Sequence, residues 1–322
     1  MSVDQLESPQ VGFIAQMKGP LTTKRCRAAT IFVDHFSDLK YVHFMSITTS
    51  DDTLYAKKSF ERYAKSMGVR IQHYHCDNGR FADNVFIQDC EKKQQGISYC
   101  AVNAHFQNGR AEKAIRDLQT TPRTMILHAK GRWVDAIHLS LWPYAMRLAT
   151  HIHNNLPKTE DGSSRIEAFA RIPISPKLSH YHTFGCPVYQ LTTKAHGGMA
   201  GKWEARSVLG IYLGPSPHHA GSVSLVLNLA TGHASPQFHV AHDDFFETTR
   251  YDRRSMRTKS NWQRLSGIDS ADKITRRGSA KRATLKSTMG IYEKGSDTES
   301  TGKNLANNIP PVHRHDDSTN TG

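Results

Sequence analysis

A chain of 322 residues, 38% of them hydrophobic, can bury a real core and hold either two compact domains or one with a long tail. Its 42 Lys and Arg against 29 Asp and Glu leave a net charge of +13, which points to a polyanionic partner and away from a small-molecule substrate. No apolar run approaches the roughly 20 residues needed to cross a bilayer, and the opening "MSVDQLESPQ" lacks the charged and apolar regions of a signal peptide, which argues against a membrane or secreted protein.

In chain order, a short "SVDQL" segment and a loop with Gly12, Gly19 and Pro20 lead to "RAATIFVDHF" (27–36), a short apolar run suited to a buried strand. "KYVHFMSI" (40–47) follows the Ser37-Asp38 turn as its hairpin partner. "TSDDTLYAKKSFERYAKSMG" (49–68) opens on a Ser/Asp cap, carries apolar or aromatic residues at 54, 56, 60, 63, 64 and 67, and closes on Gly68, which predicts an amphipathic helix. "VRIQHYHC" (69–76) alternates as a strand does and runs straight into Asp77-Asn78-Gly79, and "ADNVFIQDCEKKQ" (82–94) predicts a second helix. "GISYCAV" (96–102) predicts another strand, and "GRAEKAIRDLQTTPRTMILHAKGRW" (109–133) a helix interrupted near Pro122. This order implies an α/β fold, a mixed sheet with helices packed on its faces.

Further helices are expected over 134–170, with "VDAIHLSLWPYAMRLATHIHNN" the clearest. From Phe184 the texture changes to short strands, "RSVLGIYLG" (206–214), "SVSLVLNLA" (222–230) and "HASPQFHV" (233–240), joined by turns at Gly214-Pro215 and Thr231-Gly232. They predict a small separate β module. Beyond about residue 250 periodicity gives way to basic and then Ser/Thr/Asn/Asp-rich sequence, which predicts disorder. The expected organisation is a core with trailing helices over 1–170, a segment with the β module over 171–250 and a basic, polar tail over 251–322.

If the first segment is the central strand and runs parallel to 69–76, Asp4 lies next to Asp77 at that strand's C-terminal edge, where open α/β sheets bind ligands. Glu112, early in the helix that starts at 109, approaches the same point. Three converging carboxylates repel one another unless a divalent cation neutralises them, and hard oxygen ligands suit Mg²⁺ or Mn²⁺. Two such ions, about 4 Å apart, can activate an attacking oxygen and stabilise a leaving one at phosphorus, which agrees with the polyanionic partner. Asn78-Gly79 and Asn108-Gly109 are read as sharp turns that serve these acids. Arg116 and Gln119 share the helix face of Glu112 at i+4 and i+7, and with Lys113 they are candidate nucleic-acid contacts.

Asp34 in "FVDHFSD" is the rival first carboxylate; if its strand is antiparallel to the first, its end lies away from Asp77. Five scattered cysteines (Cys26, Cys76, Cys90, Cys100, Cys186) form no Cys-x-x-Cys pair, so neither a disulfide framework nor a zinc ribbon is signalled, and a reducing compartment is favoured. The close pairs His73/His75, His151/His153, His180/His182 and His218/His219 lack companion cysteines at ligand spacing and are read as packed or surface histidines. Trp133, Trp142 and Tyr144 are read as core rather than as a stacking platform for bases.

At these residues the chain resembles the integrase of copia-type LTR retrotransposons, within the retroviral integrase superfamily of ribonuclease-H-like folds. The matching stretches are "VDQLESP" with Asp4, "FVDHFS", "HCDNGRF" with Asp77 and "NAHFQNGRAEKAIRDLQ" with Glu112, in a D, D-35-E pattern; "HTFGCPVY", "GIYLGPSP" and "SPQFHVAHDDFFET" resemble the segment that follows such a core. The resemblance implies a ribonuclease-H-like core, Mg²⁺ or Mn²⁺ held by Asp4, Asp77 and Glu112, trimming of element DNA ends and their transfer into target DNA. It also implies a multimer that holds two DNA ends, with Arg116 and Gln119 facing the element DNA, at work in the nucleus or a cytoplasmic virus-like particle. A zinc module should precede such a core and the chain begins just before Asp4, so a fragment of a polyprotein, or a truncated descendant of one, is expected. The competing expectations are a catalytically silent remnant that only binds nucleic acid and a ribonuclease H; "QNGRAEKAI" and "SPQFHV" argue against the latter.

Overall fold

The computed structural model describes residues 1–101, 105–157, 162–174, 178–192, 195, 197–199, 201–250 and 261–268. β1 (Ser2–Gly12) is the middle strand of a five-stranded sheet ordered β3-β2-β1-β4-β5, the arrangement of the ribonuclease-H-like fold. β2 (Cys26–Val33) runs antiparallel to it with Ser2 opposite Val33, and β3 (Lys40–Met45) closes the hairpin on β2. α1 (Ser50–Ser66) starts at Thr49, whose hydroxyl accepts the Asp52 N–H. β4 (His73–Cys76) pairs in parallel with β1, α2 (Asn84–Lys92) crosses over, and β5 (Gly96–Tyr99) pairs in parallel with β4.

The alternation of each strand sends its side chains to two different helical layers. Val3, Phe32, Tyr74 and Cys76 pack with Ala56 and Phe60 of α1 and Phe86 of α2, where Phe32 stacks on Phe60 at 4.6 Å. Lys57 is fully buried in this layer because Glu61 (2.8 Å), Asp89 (2.6 Å) and the Gln95 amide oxygen (2.7 Å) surround its ammonium. The other face carries Leu6, Ala29, Ile31 and Val33 under α3 (Gly109–Arg132) and α4 (Trp142–Asn155).

Contrary to the expected break, α3 runs unbroken through Pro122. A proline inside a helix costs about 3 kcal/mol, but Pro122 is buried on the same face as Leu118 and Ile126, and burying that face outweighs the lost hydrogen bond. α5 (Arg165–Ala170) begins with a full capping box in which Ser164 and Glu167 satisfy each other's backbone N–H.

The β module is a second five-stranded sheet, all antiparallel, ordered β10-β6-β7-β8-β9: β6 (Pro187–Leu191), β7 (Ser207–Pro215), β8 (Ser224–Asn228), β9 (Ala234–Gln237) and β10 (Val240–His242). Two of these strands, β6 and β10, go beyond the expected three. The sheet does not stand apart: Val188, Ile211, Leu213, Val226 and Leu227 belong to one buried cluster with Leu6, Phe13 and Leu148. After the short α6 (Glu247–Arg250), the tail expected to be unstructured contains α7 (Asn261–Leu265). Its Trp262 is fully buried, lies 5.2 Å from the Phe13 ring, and donates its indole N–H to the Ala136 carbonyl at 3.0 Å. A lone tryptophan can bury enough area to order a polar stretch in which no periodicity is visible. Apart from 261–268, the expected tail lies outside the described residues.

On β10, His242 lies face to face with His182 at 3.4 Å while its Nε2 meets the Ser224 hydroxyl at 2.9 Å. Burial and the neighbouring His182 hold its imidazole down at about 4, against the partial pull of Asp244.

Two outcomes are expected. Trp262→Ala should cost about 3–5 kcal/mol in chemical denaturation, whereas an unanchored tail residue would leave the midpoint unmoved. A histidine whose pKa is depressed on folding takes up its proton more readily when unfolded, so its contribution is intact above pH 6.5 and lost as pH falls toward about 4. His242→Gln, which keeps a hydrogen-bonding partner for Ser224, should flatten the acid limb of a Tm-against-pH profile over that window.

Candidate active site

The parallel register of β1 and β4 places Ser2 opposite His75. Two residues further along each strand come Asp4 and Asp77, on the same side as that pair because strands repeat every two residues. Tyr74 and Cys76 fill the layer under α1 and α2, so His75 and Asp77 face the α3 layer, as Leu6 and therefore Asp4 do on β1. Glu112 lies in the first turn of α3, which covers that face. The start of α3 is joined to β1 beside Asp4: the Asn108 side-chain N–H donates to the Val3 carbonyl at 3.0 Å.

All three carboxylates are half-buried. Asp4 Oδ1 accepts the Gln5 N–H at 2.7 Å, and Asp77 Oδ1 the Gly79 N–H at 3.3 Å. Cys100 reports on their proximity. Burial pushes its thiol pKa up first, and then the charges of Asp77, Asp4 and Glu112 do so in that order. One sulfur thus senses acids from three elements, and His75 Nε2 lies 3.7 Å from it. Among the described residues no three His, Cys, Asp or Glu side chains are gathered tightly enough to hold a metal ion. Like charges repel, so these carboxylates draw together fully only around a cation, and a set of three hard oxygen donors fits a hard divalent ion in its chemistry.

Asp34 follows the residue opposite Ser2, and its Oδ2 is engaged by the Ser37 N–H (2.7 Å), the Ser37 hydroxyl (2.8 Å) and the Phe36 N–H (3.2 Å). It shapes the β2–β3 turn. Lys113, Arg116 and Gln119 are all exposed on α3. Lys113 and Arg110 line a cleft of about 430 Å³ with Asp38, Lys40, Asp117, His153 and Arg165. There Lys40 pairs with Asp117 at 3.0 Å, and Arg165 meets Asp38 at 3.3 Å. Burial raises the Asp38 carboxyl, but hydrogen bonds from His153 and Arg165 and the charge of Lys40 outweigh it and hold the group at about 2.

The backbone bends at Asn78 and Gly79 as expected, whereas the second Asn-Gly pair leads directly into a helix. Neither Gly79 nor Gly109 takes a positive φ, and Gly109 is the first residue of α3. At Gly79 space is tight: a Cβ there would stand 3.3 Å from both Asp77 carboxylate oxygens, so that the carboxylate would have to shift by a few tenths of an ångström. The asparagines reach far along the chain instead, Asn78 to the Cys100 carbonyl at 3.0 Å and Asn108 to Val3. Arg110, Asn78 and Asn108 escape a reading from sequence because their partners are distant; the only local signal is the carboxamide beside each glycine. Trp133, Trp142 and Tyr144 are buried, and His73 and His75 both bond to the Ser98 hydroxyl, at 2.8 and 2.9 Å.

No family model matches the chain. It is 27% identical over 169 residues to the retrovirus-related Pol polyprotein from transposon RE1 of Arabidopsis thaliana, a match that takes in 51% of this chain. The same match covers 10% of that polyprotein, so the chain spans about a tenth of its relative's length. The catalytic core domain of HTLV-2 integrase in complex with magnesium, in its trimeric form, is 17% identical, with TM-score 0.37 over 52% of this chain and 93% of that one. The simian T-cell lymphotropic virus intasome in complex with PP2A regulatory subunit B56 gamma is 15% identical, with TM-score 0.40 over 75% of this chain and 77% of that one. In sequence, the chain is similar to a retrotransposon Pol polyprotein over about half of its length.

Removing one carboxylate should lower the Cys100 thiol pKa, most for Asp77→Asn and least for Glu112→Gln, following the order of their effects. Titration by the ¹³Cβ shift of Cys100 measures this, and an unmoved midpoint in Asp77→Asn places that acid elsewhere.

Proposed function

We propose that this chain carries the catalytic core of a copia-type retroelement integrase, which joins element DNA ends to target DNA by metal-dependent polynucleotidyl transfer. What supports the reading is the parallel register that sets Asp4 beside Asp77 on the face of the sheet covered by α3, which carries Glu112 in its first turn. The similarity to a retrotransposon Pol polyprotein over half of the chain supports it.

In this reading Asp4, Asp77 and Glu112 hold Mg²⁺ or Mn²⁺. A divalent cation held by these carboxylates would supply charge neutralisation at the phosphodiester and activation of the attacking oxygen. The chain's own residues align the nucleic acid. Lys113, next to Glu112, and Arg116, on its face one turn on, are exposed and engage backbone phosphates, and Gln119 a turn further reaches a sugar or base edge. The net charge of +13 adds a long-range, salt-sensitive attraction. Pairing two DNA ends calls for at least two copies of the chain, and the setting is the nucleus or a cytoplasmic virus-like particle.

Strand transfer of a labelled element-end oligonucleotide into plasmid, with Mn²⁺, tests this. Product is expected from the unsubstituted chain and its loss to background in Asp4→Asn, Asp77→Asn and Glu112→Gln, with DNA affinity kept. Equal product from all four proteins removes the mechanism. Salt-sensitive binding with no product from any of them leaves a nucleic-acid-binding remnant.

A further inference from the structure

The three acids sit on three separate elements, β1, the end of β4 and α3. β1 and β4 pair at Ser2 with His75, and just past β5 the Cys100 N–H donates to the Cys76 carbonyl at 3.0 Å. Near the acids, side-chain amides add to these backbone bonds. Asn78, next to Asp77, donates to the Cys100 carbonyl just past β5, and Asn108, one helical turn before Glu112, donates to the carbonyl of Val3, next to Asp4. Gln107 completes the frame, with its side-chain oxygen taking the Ala101 N–H at 2.8 Å and its carbonyl meeting His75 Nε2 at 3.2 Å.

Asn108 behaves as a residue with this single task. It occupies the N-cap of α3, where an asparagine ordinarily turns its oxygen back onto the helix's free N–H groups. Here it makes no such bond. It is 2% exposed, and its Oδ1 is buried with no hydrogen-bond partner among the described residues. The opposite orientation of the amide would set that oxygen against the Val3 carbonyl, acceptor against acceptor. Burying an unpaired acceptor lowers stability, so the bond to Val3 is kept at a cost to both cap and core.

We infer that Asn108 and Asn78 are positioning residues that set the distances among Glu112, Asp4 and Asp77. The inference rests on the active-centre reading above and adds to it the parts that fix its geometry. Neither asparagine touches substrate or ion; each acts through the backbone beside a carboxylate. Residues that orient metal ligands in this way typically change affinity about 10–100-fold when replaced.

The test uses Mn²⁺ as the probe, measured by isothermal titration on the whole chain, with thermal unfolding recorded for every protein. Asn108→Ser keeps a good cap but removes the amide donor, and Asn78→Ser removes the exposed donor. Asn228→Ser, which removes a side chain accepting the Ala230 and Thr231 N–H groups in the second sheet, controls for general loosening. The expected result is Mn²⁺ binding weakened about 10–100-fold in Asn108→Ser and Asn78→Ser, with cooperative unfolding retained and affinity unchanged in Asn228→Ser. Unchanged affinity in the first two, or equal weakening in all three, overturns the positioning role alone. If Asn108→Ser does not fold, Asn78→Ser decides the matter. Failure of the unsubstituted chain to bind Mn²⁺, or undiminished binding by Asp77→Asn, overturns the active-centre reading and the positioning role with it.

Discussion

The parallel contact between β1 and β4 is the constraint on which the rest depends. It is short, a single register pair of Ser2 with His75, yet it decides which side of the sheet each acid faces and brings two aspartates level with each other. The chain start reinforces it: the His75 N–H donates to the Met1 carbonyl at 2.7 Å, and the terminal amine to the His73 carbonyl at 2.9 Å. β2 on one side and these bonds on the other hold the strand in place. A slip of one residue would send Asp4 into the apolar layer with Phe60 and Phe86, where a carboxylate has no partner.

Around that contact the two layers divide their work. The α1–α2 side is sealed by aromatic packing and by the buried Lys57, whose neutralisation by Glu61 and Asp89 makes its removal from water tolerable. The α3–α4 side is a core only toward the far end of β1, and opens near its start into polar side chains and the basic cleft. The same helix therefore anchors the fold through Leu118, Pro122 and Ile126 and presents Glu112, Lys113 and Arg116 at its other end.

Much of this was legible in the sequence because it is written in local pattern. The apolar run of β2, the alternation before Asp77 and the amphipathic spacing of α1 each fix an element, and their order leaves few ways to arrange the sheet. What escaped is non-local. Asn-Gly pairs carry strong turn propensity, but the partners of Asn78 and Asn108 lie 22 and 105 residues away, and no propensity encodes them. Pro122 signals a break that tertiary burial overrides. β6 begins on a proline and β10 has three residues, so neither offers enough alternation to read. Trp262 stands alone in a basic stretch, and only the cavity it fills explains its order.

That tryptophan also bears on how the molecule comes into being. Its backbone N–H bonds to the carbonyl of Leu229 just past β8, its indole to Ala136 between the helices, and its ring meets Phe13 just past the central strand. A growing polypeptide must therefore expose the apolar floor shared by both sheets until residue 262 has left the ribosome. Closure of the interior is a late event of synthesis, and nascent chains halted before that point offer a sticky surface that holding chaperones recognise.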